Sequence, residues 1–374
     1  MHQCNANKGM LMTHSHYRCY ARYCLKVFVM TVTLAWTFCW RCPHSAAKEE
    51  VAVAALPGSD LSRLIHEGVQ VNGSLRTEGA RLVNKRGKPV QLRGMSTHGI
   101  HWYPQYANRL AVRQLKGLGA NLFRVAMYAD SEHGAYNESK ESRERNLYLL
   151  NLAVSYALEE DMYVIIDWHL LKDETPLRHL QNAKDFFNNI SSRYAGNPAV
   201  IYEICNEPNG ETSWEDISDY ARQIVPIIRQ NSPHALIVVG TPAFSSKVDA
   251  VKTAPLPFSG IMYAYHYYPG LSGDAYIPLL EGMQDEGYPV FVSEWGIDRN
   301  VQTGELELDK ARAFVDFMRR RKISWANWSL SNKEESFSAI NSNVTKLHGW
   351  TADDLTPSGR LVFRALGNQR LSKE

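Results

Sequence analysis

Cysteine is scarce over most of the 374-residue chain, because only Cys205 lies beyond residue 42. The other five are confined to the N-terminal region: Cys4, Cys19, Cys24, Cys39 and Cys42. A disulfide framework is therefore excluded for the rest of the chain. The strand alternation around Cys205 turns its thiol away from the next residue and predicts a packing role rather than redox chemistry.

Motifs for metal and cofactor binding are lacking as well. There is no HExxH motif and no pair of CxxC motifs, and His98 and His101 are the nearest approach to a ligand cluster. The segment Met95–His101 (MSTHGIH) carries no glycine-rich phosphate turn. We expect no metal and no cofactor, which argues against a cofactor-dependent oxidoreductase.

A strong charge of one sign is also missing. The formal net charge is +2, but residues 1–47 hold five basic and no acidic residues, so the remainder carries −3. The basic residues are Lys8, Arg18, Arg22, Lys26 and Arg41. Nucleic-acid binding relies on clustered Lys and Arg, so we expect no nucleic-acid partner. A mildly acidic body suits a neutral polymer.

Long hydrophobic runs are absent except for Val27–Trp40, which is shorter than the roughly 20 residues of a membrane span. Basic residues precede this run, and Pro43 and the small residues 45–47 follow it, as in an export signal. We expect a secreted monomer without stable membrane association, and a short hydrophobic anchor is the alternative. The predicted divisions are an extension (1–47), a linker (48–68), a folded domain (69–367) and a polar tail (368–374).

Within that domain, eight apolar runs rich in β-branched and aromatic residues recur at intervals of roughly 20 to 45 residues. They are Val90–Met95, Leu122–Met127, Tyr163–Asp167, Val200–Cys205, Leu236–Val239, Ile261–Tyr265, Pro289–Ser293 and Ile323–Trp328. Amphipathic stretches such as Asn146–Glu159 and Lys310–Arg319 lie between them and predict helices. The pattern predicts an α/β fold, a (β/α)₈ TIM barrel.

A β-hairpin is predicted ahead of the first barrel strand. The segment LRTEGARLVNKRGKPVQLRG contains two short alternating runs, and residues 85–88 form the expected turn between them. We expect this hairpin to cover the floor of the barrel.

Polar residues follow the predicted strands, at the face where barrel active sites form. A single Glu at such a place is as easily a solvated charge. Here Glu207 follows the fourth run and Glu294 follows the seventh, with His, Arg, Asn and Trp at the other strand ends. Two carboxyl groups facing across a cleft are what glycosidic hydrolysis needs, because one protonates the leaving oxygen while the other captures the sugar cation.

Seven ordered motifs then reveal a resemblance to glycoside hydrolase family 5, and within it to bacterial secreted cellulases, over residues 69–366. They are GMSTHG (94–99), FRVAMY (123–128), YVIIDWH (163–169), VIYEICNEPNG (200–210), YAYHYY (263–268), VFVSEWG (290–296) and SWANWSL (324–330). The resemblance implies a retaining endo-β-1,4-glucanase that acts on β-1,4-glucan, with Glu207 as acid/base and Glu294 as nucleophile.

The resemblance also implies roles for residues around that pair. Arg124 and Tyr268 are similar to groups that orient the nucleophile, and Arg124 is expected to lower its pKa. Lys333 and Glu335 resemble a pair that grips the glucose ring. Tyr268 is expected to contact substrate as well, and the remaining substrate contacts that the resemblance implies are His98, Trp102, Tyr128, His169, Asn206, His266 and Trp328.

Tryptophan rings can stack on the apolar face of glucose, although most are packing residues. Trp102 and Trp328 are favoured as substrate platforms. Trp168, Trp295 and Trp350 are expected on the same side of the barrel.

Other functions share parts of this pattern. A β-mannanase or xyloglucanase would use the same catalytic pair on the same fold. A non-catalytic carbohydrate-binding barrel would lack a catalytic Glu or Arg124, and all three residues are present.

Overall fold

The structure is a computed structural model that describes residues 67–130, 133–269, 275–300, 305–367 and 371. The predicted export signal, nearly all of the linker and most of the tail lie outside these residues. Among the helices in the described ranges, none is both long and apolar enough to cross a membrane.

Eight parallel strands form a closed barrel, in which the last strand pairs with the first. The register of that closing pair places Trp325 beside Arg93. The strands are β3 (Arg93–Thr97), β4 (Leu122–Tyr128), β5 (Tyr163–His169), β6 (Val200–Glu203), β7 (Ile237–Val239), β8 (Ile261–Tyr267), β9 (Val290–Trp295) and β12 (Ser324–Leu330). The predicted fold class is confirmed.

Several strand boundaries differ from the prediction. The first barrel strand begins at Arg93 instead of Val90, because the Val90 amide donates to Leu82 in the preceding hairpin. Strand β5 continues to His169 and β8 to Tyr267, beyond their apolar runs. Polar side chains at these ends are buried in a shared network, so they extend the strands instead of marking turns.

Helices connect most of the barrel strands. They are α1 (Val69–Asn72), α2 (Arg109–Gly117), α3 (Lys140–Glu159), α4 (Leu180–Arg193), α5 (Trp214–Asn231), α6 (Tyr276–Asp285), α7 (Leu308–Arg321) and α8 (Pro357–Leu366). Short 3₁₀ turns occur at Pro104–Tyr106, Val248–Thr253 and Ala352–Asp354. Helix α3 begins six residues before its predicted start, because the Ser139 side chain accepts from the Ser142 amide and caps a polar first turn.

The hairpin is present, but its turn was predicted at the wrong place. Strands β1 (Arg76–Glu78) and β2 (Arg81–Val83) are joined at Gly79, whose φ of 56° suits a left-handed turn. Residues 84–88 form a second turn, closed by a bridge between Val83 and Pro89. A further small sheet, β10 (Asp298–Asn300) with β11 (Glu305–Leu306), was not predicted.

The hairpin covers the end of the barrel where the strands begin. Leu75 and Leu82 belong to a buried cluster with Tyr163 and Leu122, which are the first residues of β5 and β4. Burying this apolar surface stabilises the fold at about 25 cal/mol per Å². The floor is thereby closed, and the opposite end is left for the site.

A larger core fills the space between barrel and helices, and it corrects the expectation for three tryptophans. Trp168, Trp295 and Trp350 are all buried in it. The Trp168 ring lies 5.0 Å from that of Phe186 on α4. These three indoles pack the fold and do not face a cleft. Cys205 is buried in the same core, so the predicted packing role is confirmed, although the strand ends before it, at Glu203.

Candidate active site

The C-terminal ends of the strands bring the two predicted carboxyl groups together. Glu207 lies four residues beyond the end of β6, and Glu294 is the penultimate residue of β9. A carboxylate oxygen of each, together with a ring nitrogen of His266, lie within 4.8 Å of one another. The side chains remain slightly open, with 12% and 7% of their areas exposed. This separation matches adjacent carboxyl groups rather than a pair that admits a water between them.

Glu294 is held at both oxygens. The Tyr268 hydroxyl donates to Oε1 at 2.9 Å, and Arg124 Nη1 donates to Oε2 at 3.2 Å. The Tyr268 ring packs directly on Gly296, where an added Cβ would lie 2.5 Å from it. A glycine at this position therefore lets the phenol reach the carboxylate.

Glu207 has a different partner. Its Oε1 lies 2.8 Å from His266 Nδ1, while the other ring nitrogen of His266 lies 3.1 Å from Ser293 Oγ. Burial lowers the pKa of His266 to about 4. The imidazole is therefore neutral near pH 7 and fixes the Glu207 carboxyl through a hydrogen bond rather than through a charge.

Arg124 is the centre of a fully buried charge network. Its guanidinium donates to Glu203 Oε2 at 2.7 Å and to Asn206 Oδ1 at 2.7 Å, and it lies 2.9 Å from Asp167 Oδ2. Asp167 also pairs with His169 Nδ1 at 2.7 Å. Motif comparison missed Glu203, although an acidic residue inside the run VIYE was a signal of a special environment.

Burial governs the pKa values of the pair. It raises the pKa of Glu207 to about 8, with Arg124 opposing and Asp167 and Glu203 adding to the rise. Burial, followed by the charge of Glu207, raises the pKa of Glu294 to about 7. Arg124 lowers the pKa of Glu294, as expected, but desolvation outweighs the guanidinium and the net pKa is raised. The pKa of Glu207 is still the higher of the two, so Glu207 is protonated at a pH where Glu294 is largely ionised.

A second polar group lies beside the pair, formed by three predicted substrate contacts. Lys333 Nζ lies 2.6 Å from Glu335 and 3.3 Å from His98 Nε2. Burial, then the Lys333 charge, lowers the pKa of His98 to about 3, so its ring is neutral. The structure thus brings together an ammonium, a carboxylate and an imidazole that can bind sugar hydroxyls.

Aromatic rings connect these two groups. The Trp328 ring stacks on His169 at 5.1 Å and lies 5.1 Å from His98. Trp102 lies 4.7 Å from Tyr128. Their exposures differ, because Trp102 is 38% exposed and Trp328 only 5%. Trp102 offers an open face, whereas Trp328 offers little more than an edge.

Phe244 is an aromatic residue that motif comparison missed. It is 51% exposed and follows β7 in a turn where Ala243, Phe244 and Ser245 all have positive φ. Hydrogen bonds hold this turn against the Glu207 loop, from the Phe244 amide to Pro208 O and from Ser245 Oγ to Asn206 O. The three left-handed residues include no glycine, so the sequence does not mark their conformation.

Metal binding at this site is opposed by charge. In the described part of the chain, Glu207, His266 and Glu294 are the group whose ligand atoms are close enough for one ion. Each already has a protein partner, and the Arg124 guanidinium lies 3.2 Å from Glu294. A cation would have to enter beside that positive charge.

Comparison with known proteins decides the family. The sequence profile of the cellulases, glycosyl hydrolase family 5, matches residues 83–334. The chain belongs to this family. An endoglucanase from Clostridium saccharobutylicum is 38% identical to this family 5 chain over 304 residues, which are 81% of the chain and 67% of that protein. Endoglucanase A from Butyrivibrio fibrisolvens is 41% identical over 288 residues, 76% of the chain and 67% of that protein.

Solved family 5 structures share the fold. The catalytic domain of a Thermobifida fusca endoglucanase superposes with a TM-score of 0.73 at 33% identity, covering 80% of this chain and 98% of that domain. Another structure of that domain is a complex with cellotetraose.

Proposed function

We propose that this protein is a secreted, retaining endo-β-1,4-glucanase that hydrolyses internal bonds of β-1,4-glucans. The observation that carries the mechanism is the pair Glu207 and Glu294, whose oxygens lie within 4.8 Å and whose partners differ. Close carboxyl groups favour a covalent glycosyl-enzyme over direct attack by water. The relatives named endoglucanase support the reaction.

In the first step, the ionised Glu294 attacks the anomeric carbon while Glu207 gives its proton to the departing glycosidic oxygen. Arg124 and Tyr268 hold the attacking carboxylate through one hydrogen bond to each oxygen. The C–O bond to the leaving chain breaks as the bond to Glu294 forms. The result is a sugar ester on Glu294 and a carboxylate on Glu207.

In the second step, a water molecule replaces the departed chain. Glu207, now without its proton, removes one proton from that water as the oxygen attacks the anomeric carbon. The ester bond breaks, Glu294 regains its charge and Glu207 regains its proton. Esterification of Glu294 removes a negative charge beside Glu207, which lowers the pKa of Glu207 and suits it to act as base.

Substrate binding is assigned to the surrounding rings and polar groups. Trp102 supplies the open stacking face, with Tyr128 against it, and the edge of Trp328 bounds the cleft. His98, Lys333 and Glu335 bind hydroxyls of the glycone. Asn206 binds the 2-hydroxyl of the central sugar, a role that its hydrogen bond from Arg124 supports by fixing the side chain. His169 and His266 bound the catalytic pair.

Phe244 extends the site toward the leaving chain. Its turn is bonded to the loop that carries Glu207, the acid for that chain. The exposed ring can therefore stack on a sugar on the aglycone side.

A substrate panel tests this function. Purified protein is given carboxymethyl-cellulose, galactomannan and xyloglucan, and products are sized while proton NMR follows the first anomer released. We expect rapid shortening of carboxymethyl-cellulose and the β-anomer first. Preference for galactomannan or xyloglucan would reassign the substrate, and an initial α-anomer would reject Glu294 as nucleophile.

A further inference from the structure

Glu203 is a buried carboxyl group to which the proposed mechanism gives no role. It ends β6, four residues before Glu207, and its side chain has no exposed surface. Oε2 accepts a hydrogen bond from Arg124 Nε at 2.7 Å. Oε1 has no hydrogen-bond partner in the described part of the chain, and it lies 4.0 Å from His266 Nε2. A buried oxygen left without a hydrogen bond is costly and requires an explanation.

The hydrogen-bond partner of Glu203, Arg124, and its neighbour His266 lead to different catalytic groups. Arg124 donates to Glu294, whereas His266 is bonded to Glu207. We propose that Glu203 is a positioning residue that couples the two catalytic carboxyl groups, one through Arg124 and the other through His266. This inference rests on the proposed function, because it assumes the acid and nucleophile roles given above.

The charges around Glu203 fit such a role. The titratable groups that face it are Arg124 on β4, Asp167 on β5 and His266 on β8. Burial raises the pKa of Glu203, Arg124 opposes that rise, and the neighbouring Asp167 adds to it. One guanidinium is thus shared by Glu203, Asp167 and Glu294, so removing one carboxylate strengthens its hold on the others.

Asp167 provides a matched control within the same network. It is fully buried and lies 2.9 Å from Arg124 Nη2, as close a partner as Glu203. Its other contact is His169, whose Nε2 lies 3.3 Å from Asn206 and not against Glu207. Asp167 therefore reaches the nucleophile through Arg124 but has no imidazole contact with the acid.

The test compares Glu203→Gln with Asp167→Asn on two cellobiosides, one with a dinitrophenyl and one with a methylphenyl leaving group. Hydrolysis of both by the unaltered protein tests separately whether it cleaves β-glucosidic bonds at all. General acid help matters only for the basic methylphenolate. We expect Glu203→Gln to lose about tenfold more kcat/KM, which reports the first step, on the methylphenyl substrate than on the dinitrophenyl substrate. That loss is a small part of the usual general-acid contribution. Asp167→Asn should lose kcat/KM equally on both.

A purely structural role would lower the thermal midpoint and the active fraction without changing the ratio of the two rates. Folded Glu203→Gln with the ratio of the unaltered protein would overturn the proposal, and so would the same bias in Asp167→Asn. If Glu203→Gln does not fold, Glu203→Asp replaces it. That variant keeps the charge but is one methylene too short to lie against both partners, and the same leaving-group bias is expected.

Discussion

The contrast between Glu207 and Glu294 lies in what touches them. Both are nearly buried, but one carboxyl meets a neutral imidazole and the other meets a guanidinium and a phenol. An imidazole tolerates a protonated partner, while two donors stabilise an ionised one. The proposed roles of acid and nucleophile thus rest on the neighbours of each carboxyl group rather than on its exposure.

These roles are separable by leaving group. In Glu207→Ala, the first step on dinitrophenyl cellobioside should stay fast, because that phenolate leaves unaided, while cellulose hydrolysis collapses and azide restores turnover. In Glu294→Ala, both substrates should lose several orders of magnitude, because no covalent intermediate forms. Initial rates and azide adducts are measured. Glu211→Ala changes an exposed residue of the same loop and is the control. If Glu294→Ala kept activity on the dinitrophenyl substrate and Glu207→Ala did not, the two roles would have to be exchanged.

The pH dependence should lie above the ordinary carboxyl range. The proposed mechanism needs Glu294 without its proton and Glu207 with it, so kcat/KM should rise through the pKa of Glu294 and fall through that of Glu207. With values raised to about 7 and about 8, a narrow optimum between them is expected. The profile is measured on methylphenyl cellobioside. With the dinitrophenyl substrate the alkaline limb should vanish, and an acidic limb near pH 4, the usual carboxyl pKa, would contradict the burial argument.

Much of the site could be predicted from short motifs. Each of Glu207, Glu294 and Arg124 follows or lies within a strand whose motif is continuous in the chain, and the barrel brings such strand ends together. Phe244 could not be predicted, because its exposure depends on three consecutive left-handed residues without glycine. The raised pKa of Glu294 could not be predicted either. It results from desolvation, which depends on the depth of burial, and a sequence motif does not give that depth.

Among the elements, the first barrel strand depends on a close backbone approach. A Cβ on Gly94 would lie 1.9 Å from the Leu122 carbonyl oxygen of the neighbouring strand β4. Any larger side chain must therefore move one strand away from the other. The sequence shows this glycine only as part of GMSTHG and does not reveal the contact.

Two Gly→Ala changes should have opposite effects on stability. Gly94→Ala should cost about 1–3 kcal/mol, as overpacking typically does. Gly282→Ala, in helix α6 with nothing within 4 Å of its Cβ, should stabilise by about 0.4–1 kcal/mol. Urea unfolding of both variants gives the comparison. Equal stability of Gly94→Ala and the unaltered protein would show that the barrel relaxes freely there.

Element boundaries were harder to predict than element types. Hydrophobic periodicity indicates only where apolar residues recur. It therefore predicts a start of helix α3 at Asn146 and misses the polar first turns, which the Ser139 side chain caps. It also cannot choose between Gly79 and residues 85–88 as the hairpin turn, because both segments suit a turn. Tertiary pairing on the barrel floor decides that choice.

For the whole molecule, the region that carries the chemistry should be independent of the extension. The proposed site residues lie between His98 and Glu335, and the described fold begins at residue 67. A chain of residues 48–374 should match the full chain in specific activity on carboxymethyl-cellulose. Loss of activity in this shortened but folded chain would show that the extension contributes to the site.

A deeper truncation supplies the contrast. Removing residues up to 84 deletes Leu75 and Leu82 and uncovers apolar floor residues such as Tyr163. Exposing these apolar side chains to water destabilises the fold. The thermal midpoint should therefore fall well below that of residues 48–374.

Closure of the barrel has a consequence for biosynthesis. The Leu92 amide donates to Ser324 Oγ across 232 positions, so the first and last barrel strands meet only when nearly the whole domain exists. Contacts this distant in sequence form slowly. Until then the growing chain, which is made from its N-terminus, exposes the unpaired edges of β3 and β9. Such edges can pair with strands of other chains and cause aggregation. Overexpression should therefore aggregate incomplete chains that end before Ser324 while completed chains stay in solution.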